Sequence, residues 1–177
     1  GFAGVGKATA YEIEYGGERV VLVAIASASG DTVANTDALY VKLKEAIESY
    51  NDPTARFLLR SFNKMLFDVV AKILVSDDRE FDKVREKVED ALKEEFSFEN
   101  RDFGQAVALS EVYSVIQAVE GVEAVDIEKL HKHGLGSAPS PVPESVIRAE
   151  GVEEEGVVIP SLLLVNEEGI TVEKMAG

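Results

Sequence analysis

Apolar residues recur along this chain with two periods, every second position and every third or fourth, and the switches between them mark out strands and helices. From Ala8 to Tyr15 the residues alternate, with Tyr11, Ile13 and Tyr15 opposed by Glu12 and Glu14. That is a strand. Gly16-Gly17 then separates it from Arg19 to Ser29, which holds the apolar run VVLVAIA. Gly-Gly between two such runs predicts a hairpin whose second strand is central. Leu39, Leu43, Ile47 and Tyr50 share one face of a helix over Asp37 to Tyr50, which Asn35 or Thr36 can cap and Asn51-Asp52-Pro53 ends. Arg56 to Phe62 and Leu66 to Val75 are two further strands, the second with Phe67, Val69, Ala71, Ile73 and Val75 on one face. Asp77 or Asp78 opens the next helix, whose buried stripe is Phe81, Val84, Val88, Ala91 or Leu92, and Phe96.

From Phe96 to Val125 the chain reads FSFENRDFGQAVALSEVYSVIQAVEGVEAV. Phe96, Phe98 and Phe103 are too closely and irregularly spaced for one helical stripe, so they are expected to pin an ordered loop against the core. Gly104 stands where a tight turn requires positive φ. Ser110 is an N-cap candidate with Glu111 in the first turn, and Val112, Val115, Ile116 and Val119 form a stripe at helical spacing. Gly121 suits the position just past a helix end, so the helix is expected over Ser110 to Glu120, with a strand after it.

Taken together these elements predict an α+β protein built of two small sheet-plus-helix units, β-β-α-β over residues 1–62 and β-α-α-β over residues 63–130. Residues 131–159 change character. HKH, GLG, SAPSPVP and EEE make a Pro- and Glu-rich segment, read as an extended arm or loop. Residues 160–177 read as a terminal β-hairpin, with Asn166-Glu167-Glu168-Gly169 as its turn. Its strands are expected to complete a sheet of the same chain rather than pair with a neighbour, because a bare apolar edge invites aggregation.

Composition narrows the function. The 177 residues contain no cysteine, which excludes disulfides, thiol catalysis and Cys-based zinc sites. A formal charge of −15 argues against binding nucleic acid or an anionic membrane surface, and no apolar run is long enough to span a bilayer. Gly1, Gly6 and Lys7 outline a phosphate-binding loop, but Ala8 stands where Ser or Thr should hold Mg²⁺, and a strand follows where a helix N-terminus is needed. The 33 acids offer no two that stand out as a catalytic pair, and no serine lies in a nucleophile elbow. His131 and His133 could both face a metal from alternate positions, yet no third ligand is apparent, and solvated loop histidines are the favoured reading. Glu153 to Glu155 read as a solvated acidic run. No catalytic, cofactor-binding or metal-ligating residue is assigned, and the chain reads as a non-enzyme without cofactors.

The succession FSFENRDFGQAVALSEVYSVIQAVEGVEAVDIEKL resembles the C-terminal region of the baseplate J-like family of baseplate assembly proteins, wedge components of contractile phage tails and contractile injection systems. Phe103, Gly104, Ser110, Glu111, Val112, Ile116, Gly121 and Val122 carry the likeness, which extends more weakly over Lys7 to Leu130. The absence of an initiator Met, together with the greater length of such proteins, leads us to expect a C-terminal fragment. The resemblance implies a structural subunit, synthesised in the cytoplasm and assembled into a baseplate. Its partners would be other baseplate, hub or wedge proteins and copies of itself, with no nucleic acid and no membrane insertion. Arg101, Asp102, Phe103 and Gly104 are the expected contact loop. The alternative is a non-catalytic regulatory α+β module that binds a small molecule at a domain interface.

Overall fold

Val5–Tyr15 (β1) and Glu18–Ser27 (β2) form the antiparallel hairpin that Gly16-Gly17 signals, pairing Tyr15 with Glu18 across the turn. Both glycines hold positive φ, 62° and 79°, as the two central residues of a type I′ turn require. These strands belong to a computed structural model in which residues 2–50, 56–134 and 142–175 are described. After β2 the chain crosses through helix Ala38–Tyr50 (α1) and returns as Phe57–Ser61 (β3), parallel to β2. The sheet order β1-β2-β3 puts the apolar run at the centre, as its composition predicts. Because strand residues alternate faces, Val23 and Ile25 of β2 and Phe57 and Leu59 of β3 turn toward Leu39, Leu43 and Ile47 of α1.

Two details of α1 differ from expectation. Asp37, rather than Asn35 or Thr36, starts the helix: its carbonyl accepts the Val41 N–H, and its carboxylate accepts the Ala34 N–H at 2.8 Å. Tyr50 is 93% exposed, because the cluster under the helix ends at Ile47 and the last turn projects past it. The stop expected at Asn51-Asp52-Pro53 lies outside the described residues.

The second sheet is built on Asn63–Val75 (β4), whose Phe67, Val69, Ala71 and Ile73 are fully buried on one face. Helix Phe81–Glu95 (α2) lays Val84, Val88 and Leu92 into that core, joined by Phe96 just past its end. Burial of each such side chain favours folding by about 1.5–3 kcal/mol. Neither Asp77 nor Asp78 caps α2; Glu80 occupies the N-cap position without a side-chain bond. Strand Val107–Ala108 (β5) leads into helix Leu109–Gln117 (α3), which adds Val112 and Ile116, and Val122–Lys132 (β6) pairs antiparallel with β4. The cap of α3 is Ala108, two residues before the expected Ser110, and the Glu111 carboxylate three residues on reaches back to the Ala108 N–H at 3.4 Å. Gly121, at φ 101°, follows the helix as predicted.

Residues 131–159 are not an unstructured arm. His131 and Lys132 still belong to β6, Val146–Ile147 (β7) pairs with β5, and Val152–Glu154 (β8) and Val157–Ile159 (β9) form a hairpin. The hairpin turn is Glu155-Gly156, both at positive φ, a type I′ geometry carried by a residue pair that does not announce it. Ile147 is fully buried in the core with Ala149 beside it, which gives this polar stretch its anchor. The LGSAPSP part, residues 135–141, lies outside the described residues.

Nor do the last residues form a hairpin. Ser161–Lys174 (β10) is one continuous strand through the Asn-Glu-Glu-Gly sequence, in the order β10-β4-β6. Pro160 bonds Asn63 at one end and Met175 bonds Ile73 at the other, so β10 runs parallel to β4 and fits more residues into the same length. Gly169 is there for close approach rather than for a turn: a Cβ on it would collide with the Asp68 carboxylate.

By contacts the chain divides into one unit of Gly1–Lys64 with Glu150–Ser161 and another of Met65–Ala149 with Leu162–Gly177. Phe67→Ala should remove about 3–5 kcal/mol of stability, whereas Tyr50→Ala should stay within about 0.5 kcal/mol. Urea unfolding midpoints of the two variants check both values; equal midpoints would contradict the placement of these side chains.

Candidate functional site

The loop after α2 is ordered by one buried charge. Arg101 is 1% exposed, with its guanidinium 5.3 Å from the centroid of the Phe96 ring. It donates to Glu111 Oε1 at 2.7 Å and to the Ala106 carbonyl at 2.6 Å. Phe96 in turn stands edge-on to Phe67, with centroids 5.2 Å apart and planes at 89°, the arrangement in which ring quadrupoles attract. Glu111 therefore has two tasks, capping α3 through one oxygen and neutralising Arg101 through the other. The turn beyond is closed by Gln105, whose N–H donates to the Asp102 carbonyl and whose side-chain oxygen accepts the Asp102 N–H at 2.9 Å. Gly104 holds φ 75°.

Of the four residues expected to form a contact loop, Arg101 faces inward and works as an internal tie. Asp102 and Gly104 are exposed and Phe103 is half-buried. Phe96 is fully buried and Phe98 half-buried. Glu111 carries more of the loop than sequence reasoning assigned to it. The available signal was an acid one helical turn from an N-cap and ten residues from an arginine, and it is weak without the fold.

In the first unit, Tyr11, Tyr15, Val152 and Val158 are the large apolar side chains left exposed on β1 and the β8–β9 hairpin. The Tyr11 hydroxyl donates to the Val158 carbonyl at 3.0 Å, and burial holds that phenol above its usual pKa. β1 is an edge strand with no further strand beyond it among the described residues. An open groove of about 540 Å³ lies beside β3, lined by Val33, Asn35, Tyr40, Arg60, Ser61 and Glu155 among others. Its polar groups already serve one another. Arg60 donates to Glu155 and to the Leu59 carbonyl, which also takes the Tyr40 hydroxyl, and Ser61 Oγ accepts the Val33 N–H.

His131 and His133, read as loop histidines, instead stand at the end of β6 against Asp68 of β4. Gly6 and Lys7, of the phosphate-loop outline, lie in β1, which runs on as strand and supplies no helix N-terminus. No helix among the described residues is long and apolar enough to cross a membrane.

In the comparison with known families, residues 1–60 match the family described as the Baseplate J-like central domain, which supports a baseplate J-like assignment. Such a domain suggests a structural, non-enzymatic role in a phage baseplate, in association with other baseplate proteins. The match lies on the first unit, N-terminal to the Phe96–Val125 stretch that carries the resemblance. Among curated proteins, none matches the chain.

Removing one member of a buried ion pair leaves the other charge without compensation, at a cost of about 3–5 kcal/mol. Glu111 is partly exposed, so Glu111→Ala should fall at the lower end of that range. Gly104→Ala meets no neighbouring atom and should lose only about 1–2 kcal/mol through its positive φ. Thermal unfolding of both variants tests the ordered loop, and unchanged melting temperatures would refute it.

Proposed function

We propose that this chain is a wedge component of a contractile phage-tail or injection-system baseplate, and that it acts through protein interfaces rather than catalysis. The observation that carries this reading is the family match over residues 1–60, the segment that contains β1, an edge strand among the described residues. Two things such a subunit needs are present in that unit: a free strand edge and solvent-exposed aromatic side chains beside it. Tyrosine suits an interface because it brings large area with few torsions to freeze. Its partners would be other baseplate, hub or wedge proteins and further copies of itself, met after synthesis in the cytoplasm. Asp102, Phe103 and Gly104 offer a second, smaller contact. The acidic surface is suited to neighbours with basic faces.

The ligand-binding alternative draws less support. The groove beside β3 is open, and its arginine is already neutralised by Glu155 from the hairpin tip.

Co-expression with the proteins encoded by the genes on either side of its own tests the proposal. The expected result is a complex that survives size-exclusion chromatography and is weakened at least tenfold by Tyr15→Glu, with the melting temperature nearly unchanged. A chain that elutes alone in every combination, and whose melting temperature instead rises with a small metabolite, would overturn it.

A further inference from the structure

Both histidines of the chain meet at one carboxylate. Asp68 lies directly across the ladder from His131, and the His133 N–H still bonds the Leu66 carbonyl, so the two imidazoles keep strand alternation and share a face. His131 Nε2 stands 3.5 Å from Asp68 Oδ2, and His133 Nδ1 stands 3.0 Å from both oxygens. From the other side, Asn166 of β10 brings its amide nitrogen to 2.7 Å from Asp68 Oδ1 and 3.0 Å from His133 Nδ1. The Asp68 side chain is only 17% exposed. Gly169 leaves room for it where any Cβ would intrude.

With Asp68 ionised, the Asp68 carboxylate, the His133 ring and the Asn166 amide cannot all satisfy one another. An ionised carboxylate only accepts and an amide nitrogen only donates. If His133 Nδ1 carries a proton it faces the amide nitrogen donor to donor. If it carries a lone pair it faces the carboxylate acceptor to acceptor. Turning the amide only moves the conflict, since its oxygen would then lie 2.7 Å from Asp68. A cation resolves the triangle. The carboxylate, the imidazole lone pairs and the Asn166 carbonyl oxygen can all bind one metal ion.

We propose that Asp68, His131, His133 and Asn166 form a binding site for a first-row divalent metal ion, with Zn²⁺ the best match, that clips the edge strands β6 and β10 to the central strand β4. Imidazole and carboxylate together suit zinc, cobalt or nickel rather than magnesium or calcium. Ligands about 2.0–2.2 Å from such an ion lie roughly 3–3.6 Å apart, and the imidazoles of His133 and His131 stand 3.0 and 3.5 Å from Asp68. Among the described residues, histidines and acids alone do not make a ready three-ligand group. The set closes with the Asn166 oxygen as a ligand and a small rotation of the imidazoles.

Titration of the intact chain with Co²⁺, followed by its visible absorption, tests the site. One equivalent should bind saturably, with millimolar Mg²⁺ failing to displace it, and Asp68→Asn or His133→Gln should each weaken binding at least tenfold. In ¹⁵N–¹H spectra of the unmutated protein, Zn²⁺ should shift both imidazole rings, a readout independent of whether the variants fold. Unmoved imidazole resonances, displacement by Mg²⁺, or an affinity indifferent to both substitutions in folded protein would overturn the proposal, leaving only diffuse attraction to an acidic surface. None of these outcomes depends on the baseplate reading.

Discussion

Everything in the larger unit leans on the buried face of β4. Phe67 meets Phe96 at the end of α2, Arg101 lies over the Phe96 ring, and Glu111 ties Arg101 to the start of α3. A guanidinium so far from water needs its charge compensated, and here Glu111 and the Ala106 carbonyl bond its two terminal nitrogens while Nε has no partner, so loop, helix end and helix start must form together. Nearby, Val165 of β10 donates to the Phe96 carbonyl, which binds the edge strand to the same corner. The result is a loop with little freedom and no need of a ligand to order it.

The smaller unit is organised differently. Its central strand β2 is flanked by a hairpin partner on one side and a parallel crossover strand on the other, and α1 covers the face formed by Val23, Ile25 and Leu59. Among the described residues no strand lies beyond β1, which has exposed tyrosines beside it. A strand edge of that kind is a hazard for a free protein and a resource for an assembly subunit. This is where chemistry and family agree. The unit with the most exposed aromatic surface is the one that matches the Baseplate J-like central domain.

Much of the fold is legible along the chain because local forces decide it. The period-two runs of β1 and β4, the continuous apolar run of the central strand β2 and the helical stripes of α2 and α3 came through, and Gly16-Gly17, Gly104 and Gly121 took positive φ where a turn or helix end needed it. The misses share a cause. Ser110, Asp77 and Asp78 look like caps, but the helices begin where packing and Glu111 place them. Asn166 to Gly169 looks like a turn, yet β10 gains more by continuing along β4 than by reversing. Val146–Ile147 and the β8–β9 hairpin are too short and too polar to show a period, and exist because Ile147 and Val157 find buried places.

The candidate sites divide the same way. By itself the sequence determined the alternation of elements, the absence of thiol chemistry, the acidic character and the ordered aromatic loop, all of which follow from residue type and near-neighbour spacing. Only the tertiary structure decided that Arg101 is an internal tie, that β1 is an edge, and that His131 and His133 gain Asp68 and Asn166 as companions. Those facts join residues as far apart as Asp68 and Asn166. Which strand lies beside which is settled by the competition of the whole chain for buried surface, and no local pattern carries that information.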